Sequence, residues 1–369
     1  MRTEPTSNLA AIAAAAGVSR MTVSRALRNA RGVDPATHRR VLAVVKKMGW
    51  RPNPFVSAFM SYVRTKRIHG DTGVIAYLTS DYTPRGWDSL GAYTRFHQGA
   101  RERAENRGYR LEVFRLREQG MTARRLGQVL YARGIRGVVV SPLLSAHAHL
   151  NLDWEKFSAA AIGYSLLKPS LSRATNDQCD TMLLALRELR KLGYERIGLM
   201  MPHHDDARVY YHWSSAFLSH HWRYQPSTRP LLYLPARWRD DAAIAWIRQA
   251  RPQVVVSTSS DFLGTLLQSG FDIPRELGVV MLDWSKSHAP AAGVDQRAEE
   301  VGGAAVDIVV DQINKNEAGV PACPKTVTMT GQWIPGGTVQ NLKAGKSHAR
   351  ASGQPAPRRK RKAAQPALR

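Results

Sequence analysis

The chain has 369 residues, enough for two or three domains with separate cores, and a net charge of +24 that points to a polyanionic partner. Two cysteines without metal spacing, Cys179 and Cys323, exclude a disulfide framework and fit a reducing cytoplasm. No run approaches the roughly 18 apolar residues of a membrane helix, so no membrane association is expected.

The charge is unevenly placed. Residues 1–69 hold 13 Lys and Arg against 2 acids, residues 341–369 hold 9 against none, and the 271 between them carry 31 against 27. Two basic ends on a near-neutral middle suggest a nucleic-acid binder with a separate regulatory or catalytic body. The alanine-rich run near the start is weakly apolar and leads straight into the next motif, so no export signal is expected.

Residues 8–50 read as three short helices. The first has apolar residues at Leu9, Ile12, Ala13 and Ala16 and stops at Gly17, a residue suited to a left-handed cap. Ser19 caps the second, whose inner face is Val23, Ala26 and Leu27. Asp34 followed by Pro35 opens the third, with Val41, Val45 and Met48 inward and Gly49 as its stop. Two small helices joined at a Gly-Val-Ser turn form a helix-turn-helix, in which the second helix enters the DNA major groove.

The outward residues of that second helix are Arg20, Met21, Thr22, Ser24 and Arg25. An arginine there donates two hydrogen bonds to guanine O6 and N7. Thr22 and Ser24 suit phosphate oxygens, which fix position without reading sequence. A plain three-helix bundle with a basic surface shares these local signals. The order AxxAGVSxxTVSRAL followed by VxxxTxxxVLxxxxxxGxxPN is far more specific.

That order resembles the LacI/GalR family of bacterial transcription regulators. The resemblance places Arg20 and Met21 at the two main base-reading positions and Arg25 at the third, with Ser19 and Asn53 completing the DNA-binding set. It also makes residues 51–69 a hinge helix and linker. Phe59 falls at the family's minor-groove wedge position, where leucine is usual; such wedges partly unstack a base step and bend the duplex. Phe55 and Phe59 at helical spacing would alternatively pack on the neighbouring domain.

Residues 70–340 alternate short apolar strands with helices. Strands begin near Val74, Leu111, Val138 and Ala160, then near Ile197, Leu231, Val254 and Val279. Helical stretches cover 91–107, 122–133, 180–192, 239–250 and 262–269, and a long helix runs from Ala298. This alternation predicts two parallel-sheet lobes, with Leu166–Ser172 as the first crossing. The middle resembles the LacI/GalR core, a two-lobed α/β fold shared with periplasmic binding proteins. The expected lobes are about 70–168 plus 298–325 and about 169–297 plus 326–340. Residues 341–369, including PRRKRK, cannot bury enough apolar surface to fold alone and read as a basic disordered tail.

In open parallel sheets a ligand sits outside the carboxyl ends of the strands. The expected effector set is Asp81, Tyr82, Asp177, Arg208, Asp261, Asp283 and Trp284, with Asp177 and Asp283 matching the family's effector-contacting aspartates. Carboxylates with interleaved aromatics suit a hydroxylated molecule, and a sugar is what the resemblance implies. The family's ligand-binding arginine is not at its usual spacing; Arg208 is nearest. Ser260 stands where asparagine is common.

His203-His204-Asp205-Asp206 offers metal-ligand residue types, but adjacent side chains in a loop cannot all face one ion, so a pocket-rim loop is expected. No metal and no cofactor is expected. Without a GxSxG elbow or a GxxxxGK loop, hydrolase and nucleotide-hydrolysing activities have no anchor. The reading is a cytoplasmic, nucleoid-associated, homodimeric repressor on a palindromic operator, controlled by a small molecule. A non-specific nucleoid-type binder, or an enzyme carried on the two-lobed core, are the alternatives.

Overall fold

The computed structural model describes residues 9–27, 33–50, 73–80, 91–258 and 261–343. The hinge segment with Asn53 and Phe59, the pair Asp81 and Tyr82, Ser260, and the tail beyond Lys343 lie outside the described residues.

The headpiece is α1 (Leu9–Ala16), α2 (Arg20–Leu27) and α3 (Pro35–Lys47). Gly17 takes a φ of +64°, the left-handed turn its position called for. Ser19 Oγ accepts from the Thr22 backbone N–H at 3.0 Å, and Asp34 Oδ2 accepts from the Thr37 N–H at 3.0 Å. These caps satisfy donors that a helix start leaves open. Ile12, Ala13, Ala16, Val23, Ala26 and Val41 form the buried core of the headpiece.

The first sheet begins with β1 (Gly73–Thr79), followed by α4 (Gly91–Asn106), β2 (Tyr109–Arg115), α5 (Ala123–Ala132) and β3 (Gly137–Val140). Next come β4 (Ala148–His149), β5 (Ser158–Ile162), β6 (Leu166–Lys168) and β7 (Ser172–Asn176). The second runs α6 (Gln178–Leu192), β8 (Ile197–Met200), α7 (His203–Arg208), α8 (His212–Tyr224), β9 (Leu231–Tyr233), α9 (Asp240–Ala250), β10 (Val254–Ser257), α10 (Asp261–Gln268), β11 (Gly278–Met281) and β12 (Ala292–Asp295). The chain then returns to the first lobe through α11 (Ala298–Lys315) and β13 (Thr326–Met329), and ends its described course with β14 (Gln332–Ile334) in the second.

The strand orders are β13-β7-β5-β3-β1-β2 and β14-β12-β11-β10-β8-β9, and β14 alone runs antiparallel to its neighbour. β3, β10 and β11 are buried at every residue, as expected of central strands covered on both faces. Alternation sorts their side chains. Ile75 and Tyr77 pack with α4 and α11, while Ala76 and Leu78 face α5. In the second lobe Val254 and Val256 pack towards α6 and α8, and Val255 towards α9 and α10.

Two boundaries differ from the sequence reading. Ser172–Asn176 is a strand of the first sheet, between β5 and β13, so the first crossing falls at Asn176–Gln178 and not at Leu166–Ser172. Leu166–Lys168 instead pairs with β4 in a small separate sheet. Thr326–Met329 also belongs to the first sheet, although it was expected in the second lobe. Ser172–Asn176 is poor in the apolar residues that advertise a strand, whereas Thr326–Met329 has a strand's alternation and only its pairing with β7 assigns it to the first lobe. Ser172, Arg173, Thr175 and Asn176 are buried polar residues held by sheet pairing and local hydrogen bonds. The His203–Asp206 stretch, expected as a loop, is the short helix α7.

Arg95 on α4 ties the lobes together beside the second crossing. Its guanidinium contacts Asp295 at 2.8 Å and Glu299 at 2.6 Å, and donates to the Trp284 carbonyl of the second lobe at 3.3 Å. Although burial opposes ionisation of both groups, the pair holds Arg95 above its ordinary pKa and Glu299 below its own.

Candidate functional site

Two regions carry functional side chains. The first is the exposed face of α2. Its first turn is fixed by the Ser19 cap, with the Ser19 and Thr22 hydroxyls 2.9 Å apart. Val23 and Ala26 point into the headpiece core, which turns Arg20, Met21 and Arg25 outward. Met21 is 68% exposed, unusual for a large apolar side chain without a partner surface. Thr22 and Ser24 are half-buried at the edges of this face. Among the described headpiece residues, Arg20, Arg25, Arg39, Arg40, Lys46 and Lys47 stand against a single acid, Asp34. The result is a cationic helix face with donors at its start, matched to the geometry and charge of a major groove.

The second region is a cavity of about 180 Å³ between the lobes, at the carboxyl ends of both sheets. From the sequence-predicted set it receives Arg208 and Asp283. Asp177 does not line it. Its carboxylate accepts from the Asp180 N–H at 2.9 Å to cap α6, while its neighbours Asn176 and Gln178 face the cavity. Trp284 donates its indole N–H to the Ala291 carbonyl at 2.8 Å within the second lobe, and Asp261 starts α10 beside a different surface depression.

Arg208 donates to the Tyr93 hydroxyl of the facing lobe, while its buried Nε has no protein partner. Asp205 Oδ2 accepts from the Thr258 hydroxyl at 2.8 Å. Asp206, fully buried, accepts from the Ser214 N–H at 3.2 Å and so fixes α7 against α8. Asp283 Oδ1 is buried without a partner. Burial, reinforced by the charge of Asp205 and opposed by its own backbone N–H, pushes the Asp283 carboxyl up to about 7. A cavity with one orphan donor and one orphan acceptor fits a ligand whose groups both give and take hydrogen bonds, as hydroxyls do.

The raised Asp283 carboxyl sets a pH dependence. Its charged form is disfavoured in the folded chain, so its cost is absent below about 4, where the acid is protonated folded or unfolded, and complete above about 7. Asp283→Asn should therefore gain melting temperature relative to the parent as pH rises from 5 to 8. Parallel melting curves across that range would show that the carboxyl is not shielded as described.

The strand ends also supply Gly163, Tyr164, Asp205 and Thr258, as the sequence reading expects, but it misses a further part of the wall. Trp213 donates its indole N–H to Gln178 Oε1 at 2.9 Å; Gln178 donates to Gln296 Oε1 at 3.1 Å, and Gln296 to the Leu282 carbonyl at 2.7 Å. Asn176 Nδ2 also reaches the Gln296 carbonyl, at 3.2 Å. This network spans the first two crossings and lines the cavity with Asn176, Gln178, Trp213 and Gln296. Tyr93 and Phe96 enter from α4. Trp213, Tyr93, Phe96 and Gln178 lie on helices, which the strand-end rule does not reach, and Asn176 closes a strand that its polar sequence does not advertise.

A model of bacterial regulatory proteins of the lacI family matches residues 8–53, and one of periplasmic binding protein-like domains matches residues 186–339. The HTH-type transcriptional regulator reg1 of Streptomyces lividans is 28% identical over 203 residues, 53% of this chain and 54% of that protein. MalR of Streptomyces coelicolor, an HTH-type transcriptional regulator, is 27% identical over the same length. The matched region thus spans about half the length of these curated relatives. Among solved structures, the transcriptional regulator CelR–cellobiose complex superimposes with a TM-score of 0.54 at 21% identity, covering 90% of this chain and 99% of that one. The lac repressor dimer bound to operator and the anti-inducer ONPF gives 0.54 at 16%, with the same coverage. These likenesses establish the fold: a helix-turn-helix headpiece on a two-lobed, periplasmic-binding-protein-like core. Among the described residues no helix is long and apolar enough to cross a membrane.

Proposed function

We propose that this chain, whose headpiece matches the lacI-family model over residues 8–53, is a LacI/GalR-type sequence-specific repressor whose grip on DNA is set by a small molecule held between its lobes. The observation that carries this is the pairing in one chain of a cationic recognition helix with an interlobe cavity holding an unpartnered Arg208 Nε and Asp283 Oδ1. A DNA reader alone has no use for such a cavity, and a solute binder alone has no use for the headpiece.

In this reading Arg20, Met21 and Arg25 meet base edges, and Ser19, Thr22, Ser24 and Asn53 hold the backbone. Two copies bind a palindromic site with their hinge segments side by side and Phe59 of each near the dyad. The effector is a sugar or sugar derivative. Support comes from the hydroxyl-matched cavity and from a protein of the same fold solved with cellobiose. Arg208 and Asp283 contact it directly. Effector binding alters the angle between the lobes and thereby the spacing of the two hinges, a coupling of about 1–3 kcal/mol. The protein acts in the cytoplasm by binding, without catalysis.

Selection of genomic fragments bound by the purified full chain tests the proposal. A palindromic consensus, and release or tightening on it by a sugar, is expected. Recovery of fragments without any shared sequence, with steep salt dependence, would instead mark a non-specific binder working through its basic ends.

A further inference from the structure

Above the cavity, the connection between α7 and α8 in the second lobe meets two loops of the first. His147 and Tyr210 stack with ring centroids 5.8 Å apart and planes 15° from parallel. Tyr164 lies 5.2 Å from Tyr210 and meets His212 edge-on at 4.9 Å. Tyr211 fills the gap between His147, at 6.3 Å, and His203, at 5.6 Å. A hydrogen bond between His204 Nε2 and the Leu144 carbonyl, at 2.8 Å, runs beside these rings from lobe to lobe.

The backbone marks the same place. His147, Tyr210 and Tyr211 have φ values of 54°, 56° and 60°. Bulky residues rarely hold the left-handed region, and such a conformation persists only where the surroundings enforce it. Here the strained residues on one lobe touch those on the other. The ring-bearing tips themselves are little covered by their own lobes: His147 and Tyr211 are exposed, and Tyr164 and Tyr210 only half-buried. Each loop is anchored within its own lobe, by β4 pairing with β6 on one side and by the Tyr211 N–H donating to the Asp206 carbonyl on the other, and the ring contacts join the tips between these anchors.

We propose that His147, Tyr164, Tyr210 and His212 form an aromatic clasp between the lobes that must part for a molecule to reach the cavity. The proposal rests on that cavity being the effector site. Gly163, Tyr164, Arg208 and Val209 belong at once to the cavity wall and to the clasp or its flanks, so opening the clasp uncovers the wall. When the rings separate, the strained turns on both lobes lose a contact they share, so the two tips loosen together. The clasp then behaves as a two-state element that biases the interlobe angle independently of any ligand.

The test is amide hydrogen exchange on the full chain with no ligand added, comparing the parent with Tyr210→Ala and with His147→Gly. Each variant should raise exchange about tenfold in both 144–149 and 203–212, including the segment on the lobe that carries no substitution, while the sheet interiors and the melting temperature stay as in the parent. A rise confined to the substituted lobe overturns the clasp. Should Tyr210→Ala loosen the whole second lobe, His147→Gly decides alone. Glycine suits the left-handed turn, and faster exchange at 203–212 then supports the clasp while unchanged exchange there removes it. Since no effector enters the experiment, failure of the effector reading would leave this result standing.

Discussion

Arg25→Ala is expected to weaken binding to the selected operator by about ten- to a hundredfold, the loss of one bidentate arginine–guanine contact worth about 1–3 kcal/mol. Arg25 sits on the exposed side of α2, one turn beyond Met21, while its neighbour Ala26 is buried. Alanine at 25 therefore leaves the packing of the headpiece untouched. Non-specific binding at low salt arises from counterions released by all the cationic side chains together, so losing one charge should lower its salt slope by only about 1. Titration against the operator and against an unrelated duplex at two salt concentrations separates the two effects. Equal weakening on both duplexes would move Arg25 from base reading to backbone contact.

Gly302→Ala should lower the stability of the first lobe by about 3 kcal/mol, at the upper end of the usual cost of overfilling a packed core. A Cβ at 302 would lie 2.0 Å from the Phe96 carbonyl oxygen, so it meets backbone and not a side chain that can swing away. Gly99 makes the reciprocal approach, its Cβ position falling 1.9 Å from the Glu299 carbonyl oxygen. These glycines let α4 and α11 touch along their main chains. The same contact holds Arg95 where it reaches Asp295 and Glu299. Pushing the helices apart should cost melting temperature, by about 8 °C for a domain of this size. Gly303→Ala is the control. Its Cβ would have 3.5 Å to Arg103, ordinary contact, so helix propensity should make it neutral or slightly stabilising, by about 0.5–1 kcal/mol. Equal losses in both variants would show that helix distortion, and not the close approach, sets the cost.

Much of the molecule is legible in the amino-acid order because its signals are local. The headpiece follows from apolar spacing, two caps and a left-handed glycine, all decided within a few residues of one another. Strands such as β3 and β10 are continuous apolar runs, and the expected strands begin within two residues of those observed. The long α11 was readable for the same reason, through its repeated inward valines and isoleucines.

What the linear order left open depends on partners distant in the chain. Ser172–Asn176 reads as polar coil, yet it is a buried strand because β5 and β13 supply the hydrogen bonds its own residues do not advertise. That pairing moves the first crossing, and with it the cavity wall, so Asn176 and Gln178 face inward while Asp177 is spent on a helix cap. Trp213 and Tyr93 reach the site from helices on opposite lobes, and His147 meets Tyr210 only because the carboxyl ends of the two sheets are brought together. A sequence states its helices, turns and charge by short-range chemistry. Which of its polar residues share one cavity is decided by the packing of the lobes, since hydrogen bonds and ring contacts act only over the few ångströms that folding creates.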